Sequence, residues 1–227
     1  MGSTPDVQRF VDQLSERRLS PSTIRNALLP LRALSRRALI RGDITGNPTH
    51  GLELPAQRGR RDRIATPREA ETLLAALPLG DRPVWATAMY AGLRLGELQA
   101  LKRDAVDLER HLLHVRHSWD RRAGPVAPKS RAGIRTVPLV ARLRAELEPL
   151  EDRSGDGLVF GRTADRPFSA SGLVSRATRL WRAAGIEPIT PHECRHTYAS
   201  FMIAAGVNVK ALSIFMGHAS ITITLDL

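Results

Sequence analysis

Apolar residues return along the first forty positions at the three- and four-residue spacing of amphipathic helices. Val7, Phe10, Val11 and Leu14 form one such stripe. A second begins after Ser20-Pro21, with Ile24, Leu28, Leu31, Leu34 and Ala38 as its buried face and Arg25, Arg32, Arg36 and Arg37 largely off it. Pro30 falls inside that helix, where it removes a hydrogen bond to the preceding turn, so a kink or break is predicted there. A short segment closes at Asn47-Pro48, and the polar, arginine-rich stretch PAQRGRRDR from Pro55 to Arg63 reads as a linker.

Beyond it the helical pattern resumes. Thr66-Pro67 with Glu69 makes a capping box in front of Ala70, Leu73, Leu74 and Leu77. A further helix runs from about Asp81 through Trp85, Ala88 and Met89 to Ala91, closed by Gly92, and a short one covers Gly96 to Lys102. The period then changes to that of strands: Leu112, Leu113 and Val115, then Val126, then Ile134 with Val137, parted by turns at Asp120 to Gly124 and Ser130 to Gly133. A three-stranded antiparallel meander is predicted. Helices follow at Leu139 to Leu150, Ser171 to Ala184, Pro191 to Ala205 and Val209 to Met216, the last three stopped by Gly185, Gly206 and Gly217. The predicted fold class is mainly α with a small antiparallel β-sheet, in units 1–56 and 65–227 joined by a basic linker over 57–64.

Composition narrows the function. The 227 residues are 42% hydrophobic and 25% charged, as in a globular chain. No apolar run is long enough to span a bilayer and the N-terminus has no signal-peptide core, so a cytoplasmic protein is expected. The single cysteine, Cys194, allows neither an internal disulfide nor a thiolate zinc site, and it reads as a packing residue. Basic residues outnumber acidic ones by 34 to 23, a net charge of +11. All but Lys102, Lys129 and Lys210 are arginines, whose planar fork suits phosphate. A GC-rich genome also favours arginine over lysine, but it does not produce the positive excess. Nucleic acid is the partner this charge implies.

Three clusters carry candidate chemistry. In Gly92-Leu93-Arg94-Leu95-Gly96-Glu97-Leu98, Arg94 either reaches an anion from a tight turn or pairs with Glu97 in a structural salt bridge. Lys129, in PKSRAGIRTVPL, sits at the lip of a hairpin, where lysines are usually solvated. His192, Arg195 and His196 share one face at the start of a helix, a setting that favours a phosphate. The rival zinc reading of HECRH fails because an arginine adjoins the second histidine and no third ligand is evident. His218, after Met216-Gly217, reads alone as a helix cap or a core residue. His111, His114 and His117 alternate in direction along a strand and read as surface or DNA-facing residues. Taken together, two arginines, a lysine and two histidines with no carboxylate cage suit metal-free phosphoryl transfer, with no cofactor.

In the order GLRLGEL, PKSRAGIRTVPL, HECRHTYASFMIAAG and MGHASITITLDL, the sequence resembles the tyrosine recombinases, the phage integrase family, over almost its whole length. SPSTIRNALLPLRAL with GDITGNP looks like that family's helical core-binding domain, shorter here than is typical, as if starting inside its first helix. The resemblance implies a C-shaped clamp on DNA. It implies that Arg94 and Arg195 bind the scissile phosphate, that Lys129 protonates the leaving 5′ oxygen, that His192 assists proton transfer, that His218 hydrogen-bonds the phosphate and that Glu97 braces the site. It further implies a 3′-phosphotyrosine intermediate, a homotetramer on double-stranded DNA with inverted half-sites, and no metal. The basic residues Arg25, Arg32, Arg36, Arg37, Arg58, Arg60, Arg61 and Arg63 are the expected phosphate contacts. Where the family pattern reads TLDxY this chain reads TLDL, so the nucleophilic tyrosine is expected to be missing and strand cleavage by this chain absent. A DNA-binding protein without chemistry, which occupies sites or interferes with a complete recombinase, is the alternative, and an RNA-binding protein is the third reading.

Overall fold

Ser3 opens the first helix, α1 (Thr4–Glu16), with Asp6 folding back to accept its backbone N–H at 2.7 Å. The second helix, α2 (Pro21–Ile40), starts at the Ser20 cap and runs through Pro30 without a break. Val7, Val11 and Leu14 of α1 meet Ile24 and Leu28 of α2, with Leu31, Leu52 and Leu54 packed on them. Leu34 is 65% exposed, while Ser35 is buried. The inward stripe is therefore Ile24, Leu28, Leu31, Ser35 and Ala38, and Leu34 lies one residue, about 100°, to its side. Phe10 likewise turns out to solvent. The computed structural model describes residues 3–56, 63–128, 130–150 and 157–217. It divides into Met1–Arg61 and Asp62–Leu227.

In the larger unit, Thr66 and Glu69 cap α3 (Pro67–Ala75) reciprocally. The next helix, α4 (Arg82–Ala91), is buried along nearly its whole length and ends at Gly92 with φ of +63°. It leads to the short α5 (Leu95–Ala100). Among the described residues the strands β1 (Val106–Asp107), β2 (Leu112–Val115), β3 (Ser118–Asp120), β4 (Gly124–Val126) and β5 (Arg135–Pro138) follow. They do not form one meander. β1, β2 and β5 make a three-stranded antiparallel sheet in that order, while β3 and β4 form a separate hairpin that holds Val126. β5 pairs with β2 rather than β4, in a register setting Leu113 opposite Val137 and Val115 opposite Arg135. That register places both strands' inward positions on the core, which a one-residue slip would expose.

Helices α6 (Ala141–Leu147), α7 (Ala170–Ala183), α8 (Pro191–Ala204) and α9 (Val209–Met216) complete the unit. Trp85 of α4 meets Trp181 of α7 edge-on with centroids 4.8 Å apart, and the Trp181 indole donates to the Leu73 carbonyl at 2.8 Å. Cys194 is wholly buried in this core, and burial pushes its thiol well above the usual range, as befits a packing residue. Among the described residues no helix is long and apolar enough to cross a membrane.

Candidate phosphate-binding site

The left-handed Gly92 lets α4 stop against the ring of Tyr198; a Cβ at that position would stand 2.3 Å from Tyr198 Cδ1. The chain then turns so that Arg94 becomes the N-cap of α5, with Glu97 as the third residue of that helix. Arg94 donates its backbone N–H to Glu97 Oε2 at 2.8 Å and its Nη1 to Oε1 at 3.1 Å. The salt bridge of this heptapeptide forms, and 45% of the Arg94 side chain remains exposed.

Arg195 lies in the second turn of α8, whose start is fixed by the reciprocal Thr190–Glu193 cap. It is 5% exposed. Its guanidinium donates to the carbonyls of Gly92 and Met216. Burial, reinforced by the Arg94 charge, lowers its pKa to about 9, so it remains a cation at neutral pH.

Arg135, at an inward position of β5, completes the cluster. Its fork grips Glu97 at 2.9 Å and 2.8 Å, and its Nε donates to the Phe215 carbonyl at 2.6 Å. Burial alone would push the Glu97 carboxyl up, but Arg135, the Arg94 backbone N–H and the Arg195 charge outweigh it and hold the group below the ordinary carboxylate range. Glu97 is thus an anion, and three guanidiniums against one carboxylate leave the cluster with two positive charges. Three successive carbonyls at the end of α9, those of Phe215, Met216 and Gly217, accept from Arg135, Arg195 and Arg94 respectively. A helix C-terminus presents unpaired carbonyls and a partial negative charge, which these cations satisfy.

The fold thereby brings together Arg94, Glu97 and Arg195. His192 stands three residues before Arg195 in the first turn of α8, with its Nε2 3.0 Å from that of His196. Lys129, His218, Arg58, Arg60 and Arg61 lie outside the described residues. Arg135 escaped the sequence reading, although a signal was present: in an alternating strand it shares a face with the core residue Val137. Arg63, expected to meet DNA, is instead engaged inside the fold, donating to the Glu187 carbonyl at 2.6 Å and to Glu69 at 3.1 Å. Arg25 is half-buried and donates to the Pro55 carbonyl at 2.9 Å. Arg36 and Arg37 are exposed and Arg32 half-exposed. His114 donates to or accepts from Thr136 across β2 and β5 at 3.0 Å. Among the described residues no three His, Cys, Asp or Glu side chains converge as metal ligands.

The sequence profile of the phage integrase family matches residues 64–226. Tyrosine recombinase XerA of Thermococcus kodakarensis is 30% identical over 88% of this chain and 69% of its own. Tyrosine recombinase XerC of a Roseiflexus species is 27% identical over 98% of this chain and 72% of its own. Among solved structures, the fold is similar to that of the Tn1549 transposon integrase in complex with a circular intermediate DNA, with a TM-score of 0.84 at 23% identity over 99% of this chain and 80% of that one. It is also similar to a lambda integrase dimer bound to a core site, with a TM-score of 0.70 at 19% identity over 99% of this chain and 64% of that one. The ordered motifs, the arginine cluster they build and the profile across the larger unit agree, and the chain belongs to the phage integrase family of tyrosine recombinases.

Proposed function

We propose that this chain binds duplex DNA at inverted half-sites and holds the scissile phosphate for site-specific recombination through a 3′-phosphotyrosine link, as one protomer of a tetramer. The observation that carries the reading is the arginine cluster with its surplus of two positive charges. Attack of a tyrosinate on a phosphodiester takes the phosphate from one negative charge to two, so a fixed doubly positive site favours the transition state over the ground state. Arg94 and Arg195 bind the non-bridging oxygens, Lys129 protonates the leaving 5′ oxygen, and His192 and His218 move a proton and bind the phosphate, as the resemblance assigns them. Family membership supports these roles, and the DNA carried by the similar integrase structures supports the partner.

The two tyrosines of the sequence are poor nucleophiles. Tyr198 is 1% exposed and burial pushes its pKa up. Tyr90 stacks on Phe201 and is likewise raised, first by burial. On this reading neither supplies the nucleophile, and the 227 residues by themselves are expected to bind and hold DNA without cutting it. Selection from a random duplex library tests the reading. Recovered duplexes should share an inverted repeat, and binding to them should exceed binding to single-stranded RNA of equal length and fall steeply with salt. Recovery without inverted symmetry, or equal affinity for the RNA, would overturn it.

A further inference from the structure

Arg135 belongs to none of the roles assigned above, yet it is as enclosed as Arg195, with 1% of its side chain exposed. It reaches the supports of both phosphate-binding arginines. On one side its fork fixes the Glu97 carboxylate, which caps the backbone N–H of Arg94 and holds Arg94 Nη1. On the other its Nε fixes the Phe215 carbonyl and its side chain lies along Gly217, where a Cβ would stand 3.0 Å from Nη1 and 3.1 Å from Cδ. The two carbonyls after Phe215 are those that hold Arg195 and Arg94. Gly217, at φ of +63°, is also where the chain leaves α9 toward His218.

We propose that Arg135 is a positioning residue: it aims Arg94 and Arg195 at the phosphate through Glu97 and through the last turn of α9. The proposal rests on the reading of Arg94 and Arg195 as the phosphate cradle. A lysine here would keep the charge but lose the planar fork and the Nε contact, so geometry and charge are separable at this position. Stability does not require the pair, because a buried ion pair is often no better than apolar residues of the same volume.

Orthovanadate, a tetrahedral oxyanion of the shape and charge of phosphate, is the probe, titrated against the chain while the arginine Nε–Hε signals are followed by NMR well below the melting temperature. Arg195→Ala tests the cradle; Arg135→Lys and Glu97→Gln test the positioning. Charge alone predicts unchanged affinity for Arg135→Lys and tighter binding for Glu97→Gln, which removes an anion. Positioning predicts weakening of tenfold or more in both, with the double variant no weaker than either single one. If Arg195→Ala weakens binding while the other two variants leave it unchanged or tighter, the role of Arg135 is overturned and the cradle stands. If Arg195→Ala binds like the wild type, the cradle itself is overturned. Should Arg135→Lys lose its folded circular dichroism, Glu97→Gln decides the matter alone, since its direction of change is opposite under the two accounts.

Discussion

Replacing Glu97 with alanine should be among the most destabilising single changes in the larger unit. The carboxylate is 4% exposed and accepts four hydrogen bonds, from the Arg94 backbone and Nη1 and from both Nη atoms of Arg135. Its loss strands Arg135 in the interior without a counter-ion. Breaking a buried pair from one side costs about 3–5 kcal/mol. For a unit of this size each kcal/mol moves the melting temperature by roughly 2–4 °C, so a fall of about 10 °C is expected. All three tryptophans, Trp85, Trp119 and Trp181, lie in the larger unit, so their emission reports its unfolding without a signal from the first two helices. Removing both partners, with Glu97→Leu and Arg135→Met, should recover most of the loss, because neither member of this pair is then left buried without the other. A Glu97→Ala melt within about 3 °C of the wild type, or a double variant no better than the single one, would show that Glu97 does not balance a buried Arg135 charge.

Three further outcomes follow from the same packing. Tyr198 Oη is buried with no hydrogen-bond partner among the described residues, so Tyr198→Phe should stabilise the protein by about 1 kcal/mol in urea denaturation; a clear loss would show a hidden partner for the hydroxyl. Gly92→Ala drives a Cβ into the buried Tyr198 ring at a left-handed position, so a loss of about 2–4 kcal/mol is expected by the same measurement, and an unchanged midpoint would contradict the close approach. Glu97 is held below its ordinary 4.5, so the folded state binds fewer protons than the unfolded one; its contribution is complete above about that pH and is lost as pH falls through the lower folded value. Melts between pH 3 and 6 should therefore fall more steeply for wild type than for Glu97→Gln, and parallel curves would exclude this role.

The parts of the fold that could be read in advance are those that single residues dictate. Helix ends at Gly92, Gly185, Gly206 and Gly217 all adopt positive φ, and the Thr66–Glu69 box forms where its spacing says. Partner choice between strands is another matter. Val126 and Val137 carry the same local pattern, and only the core beneath β2 decides that β5 pairs there. The α2 stripe misled because Leu34 is apolar and Ser35 is not, although the angular position favours Ser35. At the site, Arg94, Glu97 and Arg195 stood out by motif. Their convergence on the carbonyls of Phe215, Met216 and Gly217 did not, since backbone acceptors leave no mark in the sequence, and Arg135 was masked by the apolar residues around it.

Arg94 and Arg195, as read above, hold one particular phosphate. Methylphosphonate substitution, one position at a time, along a duplex selected by the chain tests it by removing a single negative charge per measurement. One position in each half-site is expected where the substitution weakens wild-type binding but leaves Arg195→Ala binding unchanged, because the partner of that charge is already gone. Loss at that position of equal size in both proteins, or no position that depends on Arg195, would contradict it.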